Sequence, residues 1–190
     1  MKMLFTQKLR ARFVRRMIRL HIPHDTREIL DIGCGNGIVS RRIQDGIGVP
    51  VIGTDLTDYR DDRVEFMPMT HTKYGYYIQP HPSREKYDVG TMVDVYHHLT
   101  YLEQPMILDE ALRHCRWLII VEPVVNRVLV LVDVLANVVH NPGMPITLTF
   151  RTLDGWLELF GAKSFRGLYR TPFWWPVNYH VFVLESSDDE

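Results

Sequence analysis

The sequence predicts an α/β fold: a doubly wound, mostly parallel sheet of seven strands with an antiparallel edge strand, covered by helices on both faces. Three features predict it. A short apolar run, Ile29, Leu30 and Ile32, passes at once into Gly33, Gly35 and Gly37, after which Ile38, Val39 and Arg41 begin a helical pattern. Apolar runs of strand length recur along the chain, separated by amphipathic helical segments. The last two runs are joined across Pro172 to Pro176, an aromatic, hairpin-like turn that fits an antiparallel edge strand.

The chain has 190 residues, 46% of them hydrophobic and 24% charged, the balance of a soluble globular domain with a core of good size. A single domain is expected over 1–190, with a basic amphipathic helix at 1–24, a core at 25–185 and an acidic, solvated tail at 186–190. A formal net charge of −1 gives no global push toward nucleic acid or anionic membrane. Two cysteines, Cys34 and Cys115, are too few and too unevenly placed for a disulfide framework, so a reducing, cytoplasmic setting is expected. Zinc-type spacing is absent, no apolar run is long enough to span a bilayer, and no secretory leader is expected.

The glycine turn narrows the ligand. Glycines there permit unusual φ/ψ and let a ligand approach the backbone without meeting a Cβ, which is the geometry of a nucleoside site. A dinucleotide fingerprint wants G-x-G-x-x-G, but position 38 is Ile and the spacing is G-x-G-x-G. No Gly-Lys-Ser/Thr follows, as a phosphate loop would need. Asp31, just before the turn, would repel a pyrophosphate but could hold an ammonium group.

In chain order, Met1 to His24 holds seven Lys and Arg and no acidic residue, with Phe5, Leu9, Phe13, Met17 and Leu20 at helical spacing. Nucleic acid, anionic lipid and an organelle-targeting role compete for it, the last weakened by the lack of Ser before Pro23. The plainer reading is a helix that lays its apolar stripe on the sheet or over the ligand. After the turn, Ile38 to Gln44 is a helix ended by Gly46 and Gly48, and Val49 to Gly53 is the second strand. Asp55 stands at that strand's end, where doubly wound sheets place a carboxylate for ribose hydroxyls. Val64 to Met67 is a short third strand, and His71 to Lys86 reads as a loop or irregular helix.

Tyr87 to Val95 is the fourth strand, leading into Tyr96, His97, His98 and Leu99. Ligands of open α/β sheets bind off the carboxyl ends of the strands, so Asp94 through His98 should border the reacting groups. Adjacent histidines seldom face one ion and no third ligand has metal spacing, so no metal is expected. Leu102 to Arg113 is an amphipathic helix, and Trp117 to Val121, followed by Glu122 and Pro123, is the fifth strand. Glu122 thereby joins Asp31, Asp55 and Asp94 at one edge, a rim of carboxylates suited to a cationic cofactor. Val124 to His140 reads as an apolar helix packed on the sheet, with a lipid-facing or dimerising role as the sharper possibility. Thr152 is a candidate N-cap for the helix carrying Leu153, Trp156, Leu157 and Phe160, and the last strands are Ser164 to Tyr169 and Asn178 to Leu184.

Together these residues resemble the class I S-adenosylmethionine-dependent methyltransferases. DIGCGNG is similar to the family's first motif, VIGTDL to its ribose-binding strand, YDVGTMVDVYHHL to its fourth motif and WLIIVEP to the strand after it. TFRTLDGWLELF resembles a segment of the small-molecule subgroup. The resemblance implies a Rossmann-like fold and S-adenosyl-L-methionine as cofactor. It implies that Asp31, Gly33, Cys34, Gly35, Asn36 and Gly37 hold the methionine end, that Asp55 with Leu56 holds the ribose, and that Val93 and Asp94 border the site. Met69 and Thr70 fall in the adenine loop, where many members carry an acidic residue.

The reaction so implied is attack of an acceptor on a sulfonium methyl, in which charge is dispersed and near-attack positioning supplies most of the catalysis. His97 or His98 would serve as base for an acceptor that must lose a proton. The chain lacks the Asn/Asp-Pro-Pro-aromatic motif of many amino-methyltransferases, since Val95 and Tyr96 follow Asp94. A small, apolar or lipid-like acceptor is therefore the first expectation, with peripheral membrane contact possible, RNA the second, and a monomer or homodimer the expected state. The rivals are a nicotinamide-dependent oxidoreductase, which lacks its third glycine, and a non-catalytic binding protein on the same frame.

Overall fold

A computed structural model describes residues 5–58, 64–72, 74–123, 149–161, 165–170 and 179–186. The expected helix at 124–140, the turn at 172–176 and the tail beyond Ser186 lie outside the described residues. The described elements are helix α1 (Phe5–His21), strand β1 (Ile29–Ile32), α2 (Ile38–Ile47), β2 (Val51–Asp55), β3 (Glu65–Pro68), β4 (Thr70–Thr72) and β5 (Gly75–Tyr77). Then follow β6 (Tyr87–Val93), a 3₁₀ turn (Tyr96–His98), α3 (Glu103–His114), β7 (Cys115–Pro123), α4 (Leu153–Gly161), β8 (Phe165–Arg170) and β9 (Tyr179–Glu185).

Seven strands form one sheet in the order β3-β2-β1-β6-β7-β9-β8. β3, β2, β1, β6 and β7 are parallel, and β9 runs antiparallel to both β7 and β8. From β1 the chain steps outward through β2 to β3 and then returns to place β6 on the other side of β1. The crevice between β1 and β6 is therefore the switch point of the winding, where such sheets bind ligands.

Both faces of the sheet are buried. On one, Val14 and Ile18 of α1 and Ile43 of α2 pack with Ile29, Val51, Val89, Ile119, Val121 and Val181. On the other, Ile107, Leu108 and Ala111 of α3 and Trp156 and Phe160 of α4 pack with Leu30, Ile32, Met92, Leu118, Ile120 and Phe182. Successive residues of β1 and β7 thus serve opposite cores, which is why these strands read as nearly continuous apolar runs. Buried Ala11, Val14 and Ile18 recur at helical spacing while Arg12, Arg16 and Arg19 stay exposed, as the plainer reading of the basic helix has it, but the buried stripe is not the expected one, for Leu20 is exposed. At α3, Thr100 and Glu103 form a reciprocal capping box: the Thr100 N–H donates to Glu103 Oε2 at 2.7 Å and the Glu103 N–H to Thr100 Oγ1 at 3.3 Å. Thr152 Oγ1 accepts the Gly155 N–H at 3.2 Å at the start of α4.

Two expectations are corrected. α2 continues through Gly46 and ends at Gly48, whose φ is 80°. The stem of Arg15 from α1 lies where a Cβ at Gly46 would stand, so that glycine serves close helix packing rather than termination. The stretch read as a loop or irregular helix contains the β4–β5 hairpin, with Thr70 opposite Tyr77 and Thr72 opposite Gly75. Three-residue strands are too short to display a period. Tyr76 is buried beneath the hairpin, and its hydroxyl donates to Glu103 at 3.2 Å.

Phe182 is fully buried and its ring packs against those of Trp156, Phe160, Phe165 and His180. Phe182→Ala is expected to cost about 3–5 kcal/mol of stability, read as a lower urea midpoint with unchanged slope.

Candidate active site

The glycine turn wraps around the end of β2. The Thr54 carbonyl accepts the N–H groups of Gly33 at 2.8 Å and Cys34 at 3.2 Å. The Gly35 N–H donates to Asp55 Oδ2 at 2.8 Å, and the Leu56 N–H donates to Asp55 Oδ1 at 2.7 Å. Asn36 Oδ1 accepts the Ile38 N–H at 3.2 Å, at the start of α2. Three glycines of the turn sit at left-handed φ, Gly33 at 73°, Gly35 at 52° and Gly37 at 72°. Two of them do different work. A Cβ on Gly33 would stand 2.6 Å from Val95 Cγ2, so that residue is a packing contact with the turn after β6. A Cβ on Gly35 would meet nothing within 4 Å, so its face fronts open space beside the Asp55 carboxylate. Burial raises the Asp55 pKa above the usual carboxylate range, opposed by the N–H groups of Gly35, Leu56 and Thr57.

Asp31 lies deeper. It is 2% exposed, accepting the Ser40 hydroxyl at 2.5 Å on one oxygen and the Thr91 hydroxyl at 2.8 Å on the other. It ties β1 to α2 and β6 beneath the turn. Leu56 is exposed, Val93 is buried against α1 and α2, and Met69 donates its N–H to the Asp55 carbonyl at 2.9 Å while its side chain enters the core. Thr70 is exposed on β4.

Across the switch point, β6 gives way to Asp94, whose φ of 56° is left-handed and whose N–H donates to the Val121 carbonyl at 2.9 Å. That reversal aims the next two N–H groups, of Val95 and Tyr96, at Glu122 Oε1, at 2.9 and 2.8 Å. Glu122 Oε2 meets His97 Nδ1 at 2.7 Å. Glu122 is fully buried, so the expected rim of cofactor-facing carboxylates loses this member: its oxygens are engaged inside the fold. His97 is buried, its ring stacked on that of Phe150 at 5.2 Å and tilted against that of half-buried His98 at 4.1 Å. The Thr149 N–H donates to the His97 carbonyl at 2.8 Å, and buried Gln104 donates to the Tyr96 carbonyl at 2.9 Å, so this turn is held from four sides. His180, buried on β9 directly opposite Glu122 in register, also reaches this edge. No signal in the sequence marked it, because its position depends on the antiparallel pairing of β9 with β7.

Gly33→Ala is expected to cost about 1–2 kcal/mol for an L-residue at left-handed φ and about 1–3 kcal/mol more for displacing Val95. Gly35→Ala should cost only the first part. Urea denaturation of the two variants measures the difference.

Comparison with known proteins agrees with this geometry. A family model described as a methyltransferase domain matches residues 5–170. No curated protein sequence matches the chain. Among solved structures, the chain is similar to magnesium protoporphyrin IX methyltransferase from Synechocystis PCC 6803 with bound S-adenosylhomocysteine, at 16% identity and a TM-score of 0.63, covering 98% of this chain and 90% of that one. It is similar to the PH0226 protein of Pyrococcus horikoshii OT3, at 15% identity and a TM-score of 0.67, covering 97% and 92%. Human N-acetylserotonin methyltransferase in complex with S-adenosylmethionine aligns at 12% identity and a TM-score of 0.65, with 95% of this chain spanning 54% of that one. By the match of its sequence and by its fold, the chain belongs to the class I S-adenosylmethionine-dependent methyltransferases.

Proposed function

We propose that the chain binds S-adenosyl-L-methionine across the β1–β2–β6 edge and transfers its methyl group to a small-molecule acceptor, apolar or lipid-like in character. The observation that carries this reading is the open space at Gly35, set beside a carboxylate whose position is fixed by the turn itself. Three backbone N–H groups, of Gly35, Leu56 and Thr57, fix the Asp55 carboxylate where it can accept from a ribose hydroxyl. Gly33, Cys34, Gly35, Asn36 and Gly37 would bring the backbone against the amino-acid end, with Asp31 beneath them supplying negative charge for an ammonium. Leu56, Met69 and Thr70 would border the nucleoside from the β2–β4 side, and Val93 and Asp94 from the β6 side. When bound, the cofactor supplies an electrophilic methyl on a sulfonium.

The protein's part is to hold an acceptor in line and to exclude water. His97 and His98 follow β6 at the carboxyl edge, where a side chain can take a proton from the acceptor atom. The small-molecule reading draws support from the similarity to small-molecule methyltransferases; the apolar character rests on the sequence of 124–140. A second reading, an RNA acceptor, is favoured by one observation: α1 carries Lys8, Arg10, Arg12, Arg15, Arg16 and Arg19 and no acidic residue. RNA affinity falling steeply with salt would favour it, and its absence would remove it.

Calorimetric titration with S-adenosylmethionine, S-adenosylhomocysteine and NAD tests the cofactor. Both sulfur nucleosides should bind and NAD should not, and Asp55→Ala should weaken binding by about 10- to 100-fold, the range for hydrogen bonds to a charged group. Gly35→Ala should weaken it as much, at a stability cost of only the about 1–2 kcal/mol of an L-residue at left-handed φ. A folded protein that binds neither sulfur nucleoside would sink the proposal.

The raised pKa of Asp55 gives the pH dependence a sign. Its carboxylate begins to take up a proton at a higher pH than a free aspartate, so affinity should decline on acidification through that window in the wild type and not in Asp55→Ala. For folding the same shift acts the other way: the native state takes the proton before the unfolded chain does, so this group adds stability as the pH falls. Loss of binding on acidification would then precede unfolding, which circular dichroism at each pH checks.

A further inference from the structure

Helix α1 carries apolar residues on two faces, and the fold covers one of them. Ala11, Val14 and Ile18 are buried, the last two in the core between the helix and the sheet. At about 100° per residue, Arg12, Arg16, Arg19 and Leu20 fall within an arc of about 100° on the other side of the helix. All four are exposed, and Leu20 keeps 62% of its surface in water. By the same count Phe5, Lys8 and Leu9 stand on that arc, so apolar and basic residues are interleaved along it.

The charges of this face have no counterpart in the protein. α1 contains no acidic residue, and among the described residues Arg12, Arg16 and Arg19 form no ion pair. Elsewhere on the surface Arg41, Arg84 and Arg166 reach a carboxylate, at 3.6, 3.4 and 2.5 Å. Folding thus leaves three unpaired guanidinium groups around an exposed leucine.

We propose that this face of α1 docks the protein on an anionic lipid bilayer, with Arg12, Arg16 and Arg19 among the headgroup phosphates and Leu20 entering the boundary with the acyl chains. An arginine lays its stem along apolar surface and keeps its head in the polar layer, so guanidinium groups and a leucine one turn apart fit at the same depth. A second copy of the same face is opposed by like charge. On RNA the arginines would neutralise phosphates, but Leu20 would gain nothing, and no Ser, Thr, Asn or Gln stands on the arc to read a base edge. The exposed leucine decides for lipid.

Docking goes beyond the methyl-transfer reading and does not rest on it. Phe13, bordering the arc, stacks on Tyr179 at 5.6 Å, and Tyr179 lies opposite Pro123, the last residue of β7. α1 thereby touches the carboxyl edge of the sheet, so docking brings that edge near the bilayer.

Co-sedimentation of the full chain with vesicles tests the proposal, using phosphatidylcholine alone and phosphatidylcholine with phosphatidylserine at two to one. The chain should bind the mixed vesicles, less tightly as salt rises, and leave the neutral ones unbound. Arg12→Gln, Arg16→Gln and Arg19→Gln combined should weaken binding about 100-fold, since each basic residue at such a surface contributes about fivefold. Leu20→Gln should weaken it about 5- to 10-fold through lost apolar contact. In both variants affinity for S-adenosylhomocysteine should stay within about twofold, because exposed positions away from the site are replaced.

Equal sedimentation with both vesicle types, or full binding by the triple variant, would overturn the proposal, and the wild type alone decides the first point. Leu20→Gln binding as the wild type does would overturn it too, as would displacement from the mixed vesicles by a single-stranded RNA oligonucleotide supplied at equal phosphate. Either result would assign the face to phosphate alone. Selective vesicle binding by a folded chain that takes up no S-adenosylhomocysteine would remove the methyl-transfer reading and support docking.

Discussion

Burial of both faces of a parallel sheet is the constraint on which the rest of this molecule depends. With α1 and α2 on one side and α3 and α4 on the other, β1, β6 and β7 have no face left for a ligand. Polar chemistry is pushed to the carboxyl edge, where the backbone leaves the sheet. Every residue assigned to the candidate site is reached within a few positions of such an end, although Asp31 and the side chains of Met69 and Val93 are buried. The winding reverses between β1 and β6, which opens the crevice there rather than elsewhere along the rim.

Charges near that edge are handled in two ways. Asp31 and Glu122 are buried, and each has donors at both oxygens: hydroxyls of Ser40 and Thr91 for the first, two backbone N–H groups and an imidazole for the second. Removing an ion from water costs several kcal/mol, and such donors are what make the burial tolerable. Both residues consequently tie elements together. Asp55 sits at the rim, held by the N–H groups of Gly35, Leu56 and Thr57, with a pKa held up by partial burial.

The turn after β6 is the more elaborate of the two sides. Asp94 adopts a left-handed φ without being glycine, a conformation that costs free energy and persists only where the surroundings enforce it. Here the Val121 carbonyl, Glu122, Gln104 and Thr149 all take hold of the residues from Asp94 to His97. Tyr96 adds a fully buried ring set edge-on to Trp156 and Phe160, and burial pushes its phenol well above the ordinary range. His97, delivered by such a turn, stands on rigid backbone.

The fold class, the strands flanking the crevice, the glycine turn and Asp55 at the end of β2 were legible because each rests on local pattern: an apolar run, a glycine spacing, a carboxylate at a fixed distance from the turn. The β4–β5 hairpin was not, since two strands of three residues carry no period, and neither was the packing role of Gly46, which is defined by a side chain from another helix. Glu122 was legible as a residue at the edge of the sheet, but its direction was not. Sequence alone determined which residues lie at the rim, because backbone periodicity and turn chemistry act over a few positions. Only the tertiary structure decided which of them face a ligand and which face each other. Hydrogen bonds between the ends of β6 and β7, and the register that sets His180 opposite Glu122, join residues dozens of positions apart, and no local pattern encodes that.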